Sequence, residues 1–167
     1  MFHGVHRMTH LPFSVPALAL GATLVAFTAN AHSFTKGDLA IGHPWARETA
    51  AGQSAGGGFL TITNKGKAED RLTGGSTAIA AEVQVHSMSM DGGVMRMRPL
   101  KDGLPIPAGG TATLKPGSFH IMFVGLKRPL KQGEMIPVTL SFARAGKVAV
   151  EFKVEPITFA GQSHDRH

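Results

Sequence analysis

Short runs of β-branched and apolar residues recur along the chain, divided by clusters rich in Gly, Pro, Asn and Asp. The runs are Phe59 to Thr63, Glu82 to His86, Val94 to Arg98, Thr111 to Leu114, Phe119 to Val124, Ile136 to Phe142 and Val148 to Val154. Turn signals fall between them at Asp91-Gly92-Gly93, Ala108-Gly109-Gly110, Lys115-Pro116-Gly117 and Lys131-Gln132-Gly133. Many short strands at this spacing predict an all-β sandwich or barrel in a single domain. No long amphipathic helix is visible, and residues 76–81 read as one short helical turn. Asp102 to Pro107 holds two prolines, which a central strand cannot accommodate, so a loop is expected there. His43-Pro44-Trp45 reads as a structural edge segment around the one tryptophan.

The first 31 residues do not share this pattern. Met1 to His10 carries one formal cation, Arg7; Leu11 to Phe27 is an apolar run; and Ala29-Asn30-Ala31 supplies small residues in A-x-A order. That succession is a secretory signal peptide cut after Ala31. A retained membrane anchor is the rival, but Pro12 and Pro16 interrupt the run, and a spanning helix needs about 20 apolar residues. The expected organisation is therefore a signal peptide at 1–31, a β domain at 32–160 and a polar, His-containing tail at 161–167. Export places the domain in the periplasm, with no membrane span after cleavage.

The formal charge of +6 falls to +5 without Arg7. The cations are scattered through turns (Lys101, Lys115, Lys127, Arg128, Lys131) rather than gathered in a stripe, and an exported protein does not meet nucleic acid. There is no cysteine. Disulfides, thiol nucleophiles, thiolate metal sites and a lipid-bearing cysteine are all excluded, and so is a blue-copper centre, which needs a thiolate. Any soft metal would have to be held by thioether and imidazole.

Those groups are concentrated in one stretch. Met88, Met90, Met95, Met97 and Met122 lie within residues 88–122, and His86 and His120 bracket almost the same span. Side chains two apart on a strand share a face. In Phe119 to Phe123, the apolar Phe119, Ile121 and Phe123 take one face, leaving His120 and Met122 on the other with Cα atoms roughly 6.5–7 Å apart. Met95 and Met97 share a face, and His86 lies with Glu82, Gln84 and Met88 opposite Val83 and Val85. Thioether selects Cu(I) over Zn(II), Mg(II) or Ca(II), and imidazole also suits copper. Methionine is a common core filler, so any one of these residues alone would read as packing. Their joint occurrence points to a metal.

These residues resemble the family of periplasmic copper chaperones called PCuAC, whose pattern is His, ten residues, Met, about twenty-one residues, then His-x-Met. Ten residues separate His86 from Met97, twenty-two separate Met97 from His120, and His120-Ile121-Met122 completes the pattern. The additional residue falls in the region of the Asp102 to Gly110 loop. Gly42 to Arg47, Asp91 to Pro99, Ile106 to Gly110 and Gly125 to Leu130 are similar as well, so the likeness spans residues 36–157. It implies a cupredoxin-like Greek-key fold, Cu(I) on His86, Met97, His120 and Met122, and delivery to the copper centres of cytochrome oxidase or to a Sco-type thiol protein. The family spacing selects Met97 over Met95. Met88, Met90 and Met95 are candidate secondary donors.

His164 and His167 form a candidate second, Cu(II)-type site, set against an ordinary polar tail. Cleavage after Ala31 would give His32 a free amine beside its imidazole, another Cu(II) chelate. Gly52-Gln53-Ser54-Ala55-Gly56 matches the nucleophile elbow, but a strand pattern follows where that motif needs a helix, so it reads as a chance match in a loop. The expected protein is a monomeric copper carrier and not an enzyme. A copper-sequestering protein with the same site, and a metal-free structural β-sandwich, are the rival readings.

Overall fold

The computed structural model describes residues 33–161 together with Met1. The expected leader (Met1 excepted), His32, His164 and His167 lie outside the described residues. Every regular element among them is a strand: β1 (Ser33–Lys36), β2 (Leu39–Arg47), β3 (Ala55–Asn64), β4 (Asp70–Ser76), β5 (Ala80–Asp91), β6 (Val94–Pro99), β7 (Leu104–Ile106), β8 (Thr111–Leu114), β9 (His120–Leu126), β10 (Met135–Phe142) and β11 (Gly146–Glu155). No helix there is long and apolar enough to cross a membrane.

Seven strands close on themselves in the order β2-β11-β10-β4-β5-β9-β3, with β3 returning to β2. Closure gives each of the seven ring strands a partner on both sides. The remaining four lie outside the ring, β1 on β2, β8 on β3, β6 on β5 and β7 on β4. Neighbours run antiparallel except β11 and β2.

Strict alternation drives the closure. Ile136, Val138, Leu140 and Phe142 of β10 face inward with Val148, Val150, Phe152 and Val154 of β11. Val83 and Val85 of β5 and Ile121 and Phe123 of β9 complete the lining of the site-bearing wall. Phe123 and Phe152 meet edge to face at 5.6 Å between ring centroids. A Cβ on Gly58 of β3 would lie 2.9 Å from the Phe123 ring and 3.0 Å from Phe152, so only glycine lets that strand approach the pair.

Four local expectations change. His43-Pro44-Trp45 is not an edge: β2 has β3 on one side and, in succession, β1 and β11 on the other. Pro44 is tolerated because the β2–β3 register slips between Gly42 and Trp45, with His43 at a φ of 50°. Within the expected loop at Asp102 to Pro107, Leu104 and Ile106 are buried in β7, an outer strand whose Pro105 faces outward. Within residues 76–81, Ser76 ends β4, Ala80 and Ala81 open β5, and 77–79 form a turn between them rather than a helical turn. Phe119, 37% exposed, precedes β9 instead of sharing the inward face of Ile121 and Phe123. The Gly52 to Gly56 stretch is a turn running into β3, with no helix after it.

Candidate metal centre

The outward faces of β9, β5 and β6 carry the candidate donors. On β5 the inward residues are Val83 and Val85, which turns Gln84, His86 and Met88 outward. Register then assembles the group. His86 stands opposite His120 and Gln84 opposite Met122 across β5–β9, while Met88 stands opposite Met97 across β5–β6. The two imidazoles lie with ring centroids 5.6 Å apart. Met122 is a diagonal neighbour of His86 on one side and Met97 on the other, within reach of long side chains.

Hydrogen bonds set the tautomer of each ring. The amide NH2 of Gln84 donates to Glu82 Oε2, so its oxygen is turned to His86, whose Nε2 donates to it at 2.8 Å. His120 Nδ1 donates to the carbonyl of Ser118 at 3.2 Å. In its neutral form each imidazole then carries its proton on the bonded nitrogen, which leaves the lone pair on the other. Those other atoms, His86 Nδ1 and His120 Nε2, are buried without a hydrogen-bond partner. An orphaned polar atom in a buried position is destabilising unless something binds it, and an outer hydrogen bond that fixes the ring is the usual dress of a metal-ligating histidine. Desolvation, and secondarily the neighbouring His120, hold the His86 imidazole below its ordinary pKa, keeping it neutral and able to donate near pH 7.

Beside the imidazoles is a cavity of about 250 Å³ whose walls include His120, Met122, Met97, Met88, Phe59 and Arg47. Met97 reaches this cavity and Met95 does not; His86 stands next to it without lining it. Gly57, opposite Met122 on β3, also lines the cavity, and a Cβ there would touch the Phe59 ring at 3.4 Å. Phe59 stacks on Trp45 at 4.4 Å and carries the Arg47 guanidinium 5.8 Å from its ring centroid. Gln84 shares the face of His86 by the strand period, whereas the place of Arg47 and Phe59 beside the candidate donors emerges only from the strand register. A larger cavity, about 710 Å³, lies at the far end of β3 around Asp38 and Asn64, and no candidate donor lines it.

Among the described residues no three His, Cys, Asp or Glu side chains gather as a metal site. A hard-donor centre is thus lacking there, and the group is two imidazoles with thioethers, a set that suits a soft monovalent ion. Met90 and Met95 pair with each other further out toward the β5–β6 turn.

A family model described as "Putative lipoprotein LpqE-like" matches residues 39–154. The chain belongs to this family, the family of PCuAC domains. A relative from Leifsonia xyli subsp. xyli, named "Putative lipoprotein Lxx21020", is 32% identical over 155 residues, covering 90% of this chain and 92% of its own length. Among solved structures, the copper-bound PCuAC domain from PmoF2 is similar at a TM-score of 0.65 with 26% identity, over 75% of this chain and 98% of that one. The Cu(I) form of DR1885 from Deinococcus radiodurans, a solution structure, is similar at 0.59 with 28% identity, over 82% and 89%. The PCuAC likeness thus spans the closed barrel and the strands that carry the donors.

The dress of His86 gives a direct test of the geometry. Gln84→Leu removes the acceptor that holds its tautomer, and loss of such an outer partner costs metal affinity about 10-fold. A Cu(I) competition titration that leaves the affinity of this variant unchanged would show that Gln84 does not orient the ring.

Proposed function

We propose that this chain is a periplasmic copper chaperone that holds one Cu(I) on His86, Met97, His120 and Met122 and delivers it to cytochrome oxidase copper centres or to a thiol protein that assembles them. The observation carrying this reading is the pair of buried imidazole nitrogens, His86 Nδ1 and His120 Nε2, left without hydrogen-bond partners on facing strands next to two thioethers. The copper-bound PCuAC domain from PmoF2 and the Cu(I) form of DR1885, both similar to this chain, support it. The structural-sandwich reading fares worse, because Met97 is 50% exposed and fills no core.

Delivery works by ligand exchange. Neutral donors lose no proton on binding Cu(I), and copper stays Cu(I) throughout. Incoming thiolates bind a soft ion more strongly than thioethers do. They displace Met97 first, because it is the most exposed donor, then Met122, and the buried imidazoles release last. This role requires no catalytic group.

Anaerobic titration with Cu(I), followed by mixing with a dithiol acceptor, tests both halves. One tight equivalent and its passage to the acceptor are expected; tight binding without passage would make the protein a copper-sequestering one, and no tight equivalent would remove the copper reading. Met122→Leu, nearly volume-conserving, should leave the fold intact and weaken Cu(I) by about 10-fold or more, the scale set by loss of outer partners alone. Circular dichroism and chelator competition on the same sample read the two effects separately.

A further inference from the structure

The β5–β6 hairpin extends beyond the barrel and carries a second group of thioethers. Gly92 and Gly93, at φ of 57° and 79°, form its two-residue turn, and six residue pairs follow in unbroken register from Asp91–Val94 to His86–Pro99. Leu100 donates its N–H to the carbonyl of Val85, which sets the alternation of the ladder. Met88–Met97 and Met90–Met95 thereby fall on non-hydrogen-bonded pairs, where facing side chains stand closest. All four thioethers share one face, in line with His86 at its inner end. Ser87, Ser89, Arg96 and Arg98 take the opposite face, so no carboxylate stands among the sulfurs.

Packing does not account for the outer pair. No residue of β6 is buried. Met90 is 66% exposed and Met95 is 59% exposed, so neither fills a gap in a core. Exposing two large apolar side chains together is unfavourable unless the patch binds something, and two facing thioethers with no hard donor beside them select a soft monovalent ion.

We propose that Met90 and Met95 form a second, weaker Cu(I) site, an intake site from which the ion passes along Met88 and Met97 to the His86–His120 centre. This rests on the copper reading above and adds its route of loading. Each step replaces one neutral sulfur by the next on the same Cu(I), so charge and oxidation state are unchanged, and the tighter binding of the imidazoles sets the direction. Cross-strand Cβ atoms roughly 4.5–5.5 Å apart, with diagonal neighbours roughly 7–8 Å apart, let flexible thioether arms hand the ion on without the barrel moving.

The test is an anaerobic Cu(I) titration of the full chain carrying 13C-labelled methionine methyl groups, followed by NMR. The first equivalent should shift Met97 and Met122, and the second should shift Met90, Met95 and Met88. A double variant, Met90→Leu with Met95→Leu, should keep the first equivalent, lose the second and load about 10-fold more slowly from a thiol-bound Cu(I) donor. Unmoved Met90 and Met95 signals at two equivalents, or unchanged loading in the double variant, would overturn the intake site while the inner centre stood. Shifts at Met90 and Met95 with none at Met97 or Met122 would instead overturn the inner centre and leave the hairpin as the copper site.

Discussion

His120→Gln is expected to lower Cu(I) affinity by about 100-fold or more, beyond the 10–100-fold typical of losing a partner outside the ligand shell. His120 is 4% exposed, and its Nε2 is one of the two buried nitrogens without a partner. Glutamine nearly fills the same space but offers only a hard carbonyl oxygen or an amide nitrogen, neither of which suits a soft ion. The bond from Nδ1 to the Ser118 carbonyl is the main loss to the fold, about 1 kcal/mol. The variant should therefore fold and fail to hold copper. Competition with a colorimetric Cu(I) chelator, paired with urea unfolding of the metal-free protein, reads both quantities. An affinity within about 3-fold of the parent chain would remove His120 from the ligand set, on the scale at which even an outer partner matters more.

The largest effect on stability is expected from Phe123→Ala, at about 4 kcal/mol, the range for deleting a large aromatic from a packed core. Phe123 is fully buried, meets Phe152 edge to face, and lies in the space that Gly58 leaves open. Its neighbours on β9 are Met122 and Val124, so the cavity would open directly behind the donor face. Urea unfolding should show a lower midpoint at an unchanged slope. A change below about 1 kcal/mol would mean that the wall repacks and that the Phe123–Phe152 contact does not hold the barrel closed.

Much of this architecture was legible from alternation alone. β8 matches its predicted span, and β3, β5, β6, β9, β10 and β11 contain or overlap theirs with ends shifted by a few residues. β4 escaped notice because Asp70 to Ser76 offers one large apolar residue, Leu72, and two glycines; tertiary pairing with β10 and β5 makes it a strand. β2 was misread because Pro44 suggests an edge unless one knows that the ladder slips beside it. The shared outward face of His120 and Met122, and of His86 and Met88, followed from a period of two. Strand order did not follow. Nothing in the sequence says that β5 lies between β6 and β9, or that His86 meets His120 in register. Those pairings, which bring the four candidate donors near one another, are long-range and depend on how the barrel closes. The surroundings supplied by Arg47 and Phe59 depend on the same closure, whereas Gln84, two residues before His86 on β5, shares its face by strand period alone.

The donor side chains project from the outside of the barrel wall, while Val83, Val85, Ile121 and Phe123 on the very same strands fill its interior. Emptying the proposed copper centre would uncover none of that interior. Surrendering the ion should therefore shift the melting temperature only through the binding equilibrium itself, without a collapsed or molten interval. A spent molecule would be ready for another round at once, like a reusable vessel rather than a single-use capsule.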